Sequence, residues 1–254
     1  MSSEVWYGLS QCDIEKLEEV DEYLLRQLLN AHSKTAKEML YLETGAKPIR
    51  FVIKSRRLGY LHHIVTRNEN EIINKVYKSQ LRKPIKDDWV NLIKKDKLDI
   101  KLELSDEQIK LFSKNSFKNI INEKIESTIT EYLETLKNSH SKVKNIKYTK
   151  KRKAQKYITD QNFKTEEKYL LFKLRTGMID TKANFRGQYI DKKCHFCNKE
   201  DTQRHITECQ TILNSMEDLG EVRYDDIYGS PSKQLKITRV FQQLLKIRNN
   251  LLRN

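Results

Sequence analysis

Phe117-Lys-Asn-Ile-Ile-Asn-Glu-Lys-Ile-Glu-Ser-Thr-Ile-Thr-Glu-Tyr-Leu-Glu-Thr-Leu136 sets Phe117, Ile120, Ile121, Ile125, Ile129, Tyr132, Leu133 and Leu136 at helical separations, with polar residues between them. That is the period of one helix face, not of a strand. Ser113 or Asn115 supplies its start. Working upstream, Ser105 with Gln108 reads as a capping box, and a helix resumes near Trp89 after the break at Lys83-Pro84. Before that break, Pro48 suits the first turn of a helix running toward Arg67. Ile49, Val52, Ile53, Tyr60 and Ile64 line one side of it and Phe51, Leu58 and Val65 the other, so it is expected between neighbours. Arg50, Lys54 and Arg57 are expected to emerge between the two apolar sides. Thr35 with Glu38 reads as another box ahead of Met39, Leu40 and Leu42, with Gly45 as its stop. Ser10 with Asp13 opens the first helix, which carries Ile14, Leu17, Leu24 and Leu28.

Downstream, Thr165 begins a short helix with Tyr169, Leu170, Phe172 and Leu174, ending near Gly177. The last helix follows Ser230-Pro231. At 100° per residue, Ile237, Val240, Phe241, Leu244 and Leu251 share one face, and Arg239, Lys246 and Arg253 the opposite one. With only 7 Gly and 3 Pro there is little material for the turns of a sheet protein. The expected fold is mainly α: a helical bundle, then a small CCHC zinc-knuckle subdomain and a C-terminal amphipathic helix. The expected domains are 1–140 (helical), 141–160 (basic linker or exposed helix) and 161–254 (knuckle region with the last helix).

Forty-nine Lys and Arg against 35 Asp and Glu give a net charge of +14, unevenly spread. Thr44–Asn68, Ser141–Thr159 and Ile227–Asn254 hold 20 of the 49 cations and no acid, so the remainder of the chain is slightly negative. Concentrated charge of this kind points to a polyanionic partner. The candidate nucleic-acid contacts are Arg50, Lys54, Arg56 and Arg57 in the first stretch, Lys150, Lys151, Arg152 and Lys153 in the second, and Arg239, Lys246 and Arg253 in the third. Tyr148 and Tyr157 beside the second stretch offer rings for base stacking, and Lys150–Lys153 also reads as a nuclear import signal. A solvated lysine-rich surface is the plain alternative.

The spacing Cys194-x2-Cys197-x7-His205-x3-Cys209 offers four soft or borderline ligands to one Zn²⁺. A two-residue gap lets the first two thiolates meet one ion from a tight turn. His205 and Cys209, four apart, are expected on one helix face, with Ile206 and Ile212 packing behind the metal. Four protein ligands leave no open position, which marks a structural rather than a catalytic site. His195 is expected to point away, and Cys12 to be a buried apolar residue. No phosphate loop, GxGxxG or HExxH occurs. The doublet His62-His63 suits core packing or a phosphate contact. No run approaches the roughly 18 apolar residues of a membrane span, and Met1–Gly8 lacks signal-peptide character. Clustered cysteines of this kind suggest a reducing, intracellular setting, nucleus or cytoplasm.

Leu40-Tyr-Leu-Glu-Thr-Gly45, Pro48-Ile-Arg-Phe51, Lys54-Ser-Arg-Arg-Leu58 and Tyr60-Leu-His-His63 together resemble the segment after the polymerase domain in non-LTR retrotransposon reverse transcriptases. Leu171-Phe-Lys-Leu-Arg-Thr-Gly-Met178, followed by Cys194 to Cys209, resembles the zinc knuckle near the end of the same proteins. The resemblance implies a role in target-primed reverse transcription, with RNA or DNA as partner and a polymerase domain supplied elsewhere. Fingers and palm lie upstream in that family and are not expected here. Tyr224-Asp225-Asp226 lacks the aromatic residue two positions before the first Asp that the polymerase motif needs, because Arg223 stands there. The Pro-Asp and later Lys of the family's nuclease are missing after the knuckle, and nothing acidic follows Asp226. The expectation is therefore a nucleic-acid-binding chain without a catalytic centre. The alternative is a zinc-stabilised protein-interaction module.

Overall fold

The computed structural model describes residues 9–85, 88–139, 153–184, 191–216 and 223–253. It is mainly helical. In chain order the helices are α1 (Gln11–Leu29), α2 (Lys37–Thr44), α3 (Ile49–Val65), α4 (Ile72–Arg82), α5 (Trp89–Asp99), α6 (Asp106–Leu111), α7 (Lys114–Ser139), α8 (Lys156–Thr159), α9 (Thr165–Arg175), α10 (Gln203–Ile206), α11 (Gln210–Leu213) and α12 (Pro231–Leu251). A 3-10 turn, Tyr224–Tyr228, precedes α12. Among the described residues there is no strand, only an isolated antiparallel bridge between Lys193 and Glu200. No described helix is long and apolar enough to cross a membrane.

The helix ends follow local chemistry. Ser10 and Asp13 exchange hydrogen bonds across the first turn of α1, at 2.9 and 3.2 Å. Ser105 and Gln108 do the same for α6, at 2.8 and 3.2 Å. The box expected at Thr35 and Glu38 does not form: Ala36 is the N-cap of α2 and makes no side-chain cap. Both residues are instead buried, which withdraws their side chains from the helix terminus. Pro48 sits one position earlier than expected, at the N-cap of α3, while Pro231 takes the first turn of α12.

The chain divides into two compact units, Met1–Tyr23 with Lys47–Leu136, and Leu24–Ala46 with Lys137–Asn254. The first is built around α3 and α7. On α7, Phe117, Ile121, Ile125, Ile129 and Leu133 are buried, at a constant spacing of four residues. Each such side chain contributes about 1.5–3 kcal/mol when fully removed from water. Helix α3 is buried nearly all the way round, through Phe51, Ile53, Leu58, Leu61, Ile64 and Val65. His62 belongs to this core. Its Nε2 lies 2.9 Å from the Phe112 carbonyl oxygen, and its ring stacks on Phe117. Cys12, expected inside, is exposed.

The second unit differs from the expected 1–140 block by including Leu24–Ala46. Buried charge explains why. Glu43, at the end of α2, accepts from Arg175 Nε of α9 at 2.8 Å and from the Tyr157 hydroxyl at 2.8 Å. Arg175 Nη1 also donates to the Ile227 carbonyl at 2.8 Å, and its guanidinium lies 4.8 Å from the Tyr228 ring centre. Four separate segments thus meet on one ion pair. Gly45 closes α2 with φ +67°, and its N–H donates to the Tyr41 carbonyl. A Cβ there would stand 2.4 Å from the Ala154 nitrogen and 2.5 Å from the Lys153 carbonyl carbon. Gly45→Ala therefore adds backbone clash to left-handed strain, and is expected to cost more than about 2 kcal/mol in urea unfolding.

Candidate metal centre

Residues 191–201 form a short hairpin. Asp201 N–H donates to the Lys192 carbonyl at 2.8 Å, and Cys194 N–H to the Lys199 carbonyl at 2.6 Å. Asn198 takes a left-handed conformation, φ +62°, which turns the chain back after Cys197. Backbone N–H groups then face the sulfurs. Phe196 N–H donates to Cys194 Sγ at 3.5 Å. Lys199 N–H donates to the Cys197 sulfur and holds that thiol below the usual range. From the other side, Thr202 caps α10 by accepting from His205 N–H at 3.0 Å. Cys209 is fully buried, and burial pushes its thiol up to about 11. A bound cation would offset that burial and favour the thiolate.

Cys194, Cys197, His205 and Cys209 present their ligand atoms within 4.8 Å of one another. The Cys194 and Cys209 sulfurs are 3.9 Å apart, the Cys197 and Cys209 sulfurs 3.8 Å, and Cys197 Sγ lies 3.1 Å from His205 Nε2. Bond lengths of about 2.3 Å to sulfur and about 2.0 Å to nitrogen, at tetrahedral angles, separate ligands by about 3.5–3.8 Å. The spacing is compatible with one zinc ion. Ile206 and Ile212 are buried.

The expected single helix through His205 and Cys209 is corrected. Helix α10 ends at Ile206, Thr207 and Glu208 form a turn, and Cys209 is extended at the N-cap of α11. The break brings Cys209 toward both other sulfurs. His195 is exposed and outside the cluster.

Asp201, at the base of the hairpin, accepts from Lys182 N–H and from Arg248 Nη2, each at 2.9 Å. Arg248 Nη1 donates to the Asp180 carbonyl at 2.8 Å. The hairpin is thereby tied to α12. Neither residue was expected to carry this role. The signal was there for Arg248, which lies four residues after Leu244 and so falls in the buried register of α12.

The expected nucleic-acid contacts fare unevenly. Arg57 does not emerge from α3. It is buried and donates to both Asp96 oxygens, at 2.7 and 2.9 Å, so no phosphate can reach it. Burial also raises the Asp96 carboxyl, which the Arg57 charge opposes. Arg50 pairs with Glu18, and Lys54 with Asp99, both with mostly covered side chains. On a helix enclosed by neighbours a cation needs a partner, so these three serve the first unit's own packing. Arg56 is exposed.

Lys150, Lys151, Arg152 and Tyr148 lie outside the described residues. Lys153 is exposed. Tyr157 cannot stack on a base, because it is fully buried against Glu43.

Helix α12 has an apolar and a basic face as expected, but Val240 and Leu251 are only half-buried and Arg253 lies in the turn beyond its last residue, Leu251. Ile237, Phe241 and Leu244 are fully buried. Arg239, Lys246 and Arg253 are exposed. Arg239 pairs with Glu167 at 2.8 Å, whereas Lys246 and Arg253 make no ion pair among the described residues. Comparison with protein-family models, curated proteins and solved structures finds no match to this chain.

Proposed function

We propose that the chain is a zinc-stabilised module that binds nucleic acid and has no catalytic centre of its own. In this reading it corresponds to the C-terminal, post-polymerase part of a non-LTR retrotransposon reverse transcriptase. The observation that carries the reading is the Cys3His cluster. Its four donors lie within 4.8 Å of one another on a hairpin and a capped turn, a spacing compatible with one zinc ion, and protein atoms supply all of them. Such a centre is a CCHC knuckle with a structural zinc, and it leaves no coordination site for a substrate.

RNA or DNA is the partner that the surface charge favours. In the second unit, Lys246 projects from the outer face of α12, Arg253 is exposed in the turn after it, and Lys192, Lys193 and Lys199 are exposed on the hairpin. Such cations exchange condensed counterions for phosphates, so binding weakens as salt rises. The experiment separates the two faces of α12. Exchanging Lys246 and Arg253 for Gln should leave the melting temperature within a few degrees of wild type, Arg239 being kept because it neutralises the buried Glu167. The double exchange should weaken binding to single-stranded RNA or DNA severalfold at low salt, and flatten its salt dependence. Unchanged affinity across salt concentrations would leave the α12 face merely solvated. Phe241→Asp, by contrast, should unfold the second unit by burying an unpaired charge.

A second reading, a protein-docking module, is favoured by one feature of the first unit. Ile72, Val76 and Ile85 are 80%, 51% and 70% exposed. Protein docking through such a surface would survive salt that abolishes phosphate contacts.

A further inference from the structure

Three aromatic rings of the first unit meet at the start of α5. Trp89 follows the N-cap residue Asp88. The Tyr60 ring of α3 lies 6.0 Å from it at 90°, and the Tyr77 ring of α4 lies 6.0 Å from it at 77°. These rings and Asp88 line a hollow of about 370 Å³, with Ile73 and Val76 on its apolar side. None of these residues takes part in the zinc cluster or in the basic face of α12.

We propose that this hollow receives the methylated ammonium head of a lysine side chain on a partner peptide. Ring geometry separates this ligand from a nucleobase. A base is flat and stacks best on parallel faces, whereas both tyrosine rings stand nearly perpendicular to Trp89. A quaternary ammonium is round, spreads its charge over its methyl groups, and is attracted to ring faces set around it. Methylation matters because a plain ammonium is compact and strongly hydrated, so it resists transfer into an aromatic pocket.

Charge points the same way. Asp88 is almost buried at the hollow. Its carboxylate is fixed by the backbone N–H groups of Ile85 and Asn91, at 2.9 and 2.8 Å. The Tyr77 hydroxyl donates to Asp106 at 2.7 Å, which adds electron density to the ring a cation would face. Burial and that carboxylate also raise the Tyr77 phenol far above its ordinary value, so it stays a neutral donor. The lining side chains of Ile73 and of the half-exposed Val76 then account for the choice of lysine over choline. A lysine brings a four-carbon stem and flanking peptide to cover these apolar side chains, and choline has neither.

The test uses the full, zinc-loaded chain and four probes: a short peptide with one Nε-trimethyllysine, the same peptide unmethylated, its neutral isostere with carbon in place of the quaternary nitrogen, and choline. Calorimetric titration should show the trimethyllysine peptide binding about tenfold or more tightly than each of the others. Tyr60→Leu and Trp89→Leu should each remove that preference. Equal binding of the neutral isostere would make the hollow a plain apolar hole and overturn the proposal. Equal or tighter binding of choline would overturn the assignment to lysine. No binding of any probe at millimolar concentration would show that the hollow is not a ligand site. Because the probe comparison is made on wild-type protein, it holds even where a variant fails to fold. It is also independent of nucleic-acid binding, so either reading can fail without the other.

Discussion

Stripping the metal with a strong chelator should unfold the second unit, with loss of its cooperative thermal transition. Structural zinc contributes on the order of 10 kcal/mol or more to folding of such sites, as much as the whole stability of a typical domain. Three features of the cluster underlie that expectation. Without a cation, Cys194, Cys197 and Cys209 are left as thiols packed against one another, two of them buried. The hairpin that carries Cys194 and Cys197 is held within itself by a handful of backbone hydrogen bonds. Its base, Asp201, also anchors Arg248 of α12, so melting the hairpin releases a buried cation from its partner. Cys209→Ser should behave like chelation. Circular dichroism should show helix loss confined to part of the chain, because no ligand of the metal lies in the first unit. An unchanged melting curve in excess chelator would contradict a structural role for the metal.

Glu43→Ala should also be strongly destabilising, though less so than chelation, without touching the metal site. The Glu43 and Arg175 side chains are 0% and 2% exposed. Removing the carboxylate leaves the guanidinium buried and uncompensated, at a cost of about 3–5 kcal/mol. The Tyr157 hydroxyl loses its acceptor as well. Tyr157→Phe removes only that hydrogen bond and should cost about 1–2 kcal/mol. Urea unfolding of the zinc-loaded protein separates the two variants. Equal, small effects would mean that the Ile227 carbonyl and Gln155, to which Arg175 already donates, hold the guanidinium without the carboxylate.

The apolar stripe of α7 was legible in the sequence because a helix face depends only on local spacing. The buried face of α12 was legible for the same reason. Arg50, Lys54 and Arg57 were not. A cation on a helix reads as outward until its acceptor is known, and those acceptors lie at Glu18, Asp99 and Asp96, in other helices. The Glu43–Arg175 pair was hidden in the same way, and with it the membership of α2 in the second unit. Ion pairs of this kind leave no periodicity to find.

The Cys3His cluster was legible as residue types at fixed separations. The path of the chain between them was not. Four residues between His205 and Cys209 fit one helical turn equally well, and only the break after Ile206 brings Cys209 toward the other two sulfurs. The capping box at Ser105 and Gln108 formed as its sequence suggested, but that at Thr35 and Glu38 did not, because burial claimed both side chains. The aromatic hollow could not have been read in advance. Tyr60, Tyr77 and Trp89 come from three helices, and nothing in their spacing joins them.

Metal content tests the account most directly. The full chain, expressed without added metal and purified without chelator, should contain about one zinc per molecule by elemental analysis. Replacing Cys197 or Cys209 should abolish it. A well-folded wild-type protein with no zinc and three titratable thiols at Cys194, Cys197 and Cys209 would contradict the account at its base.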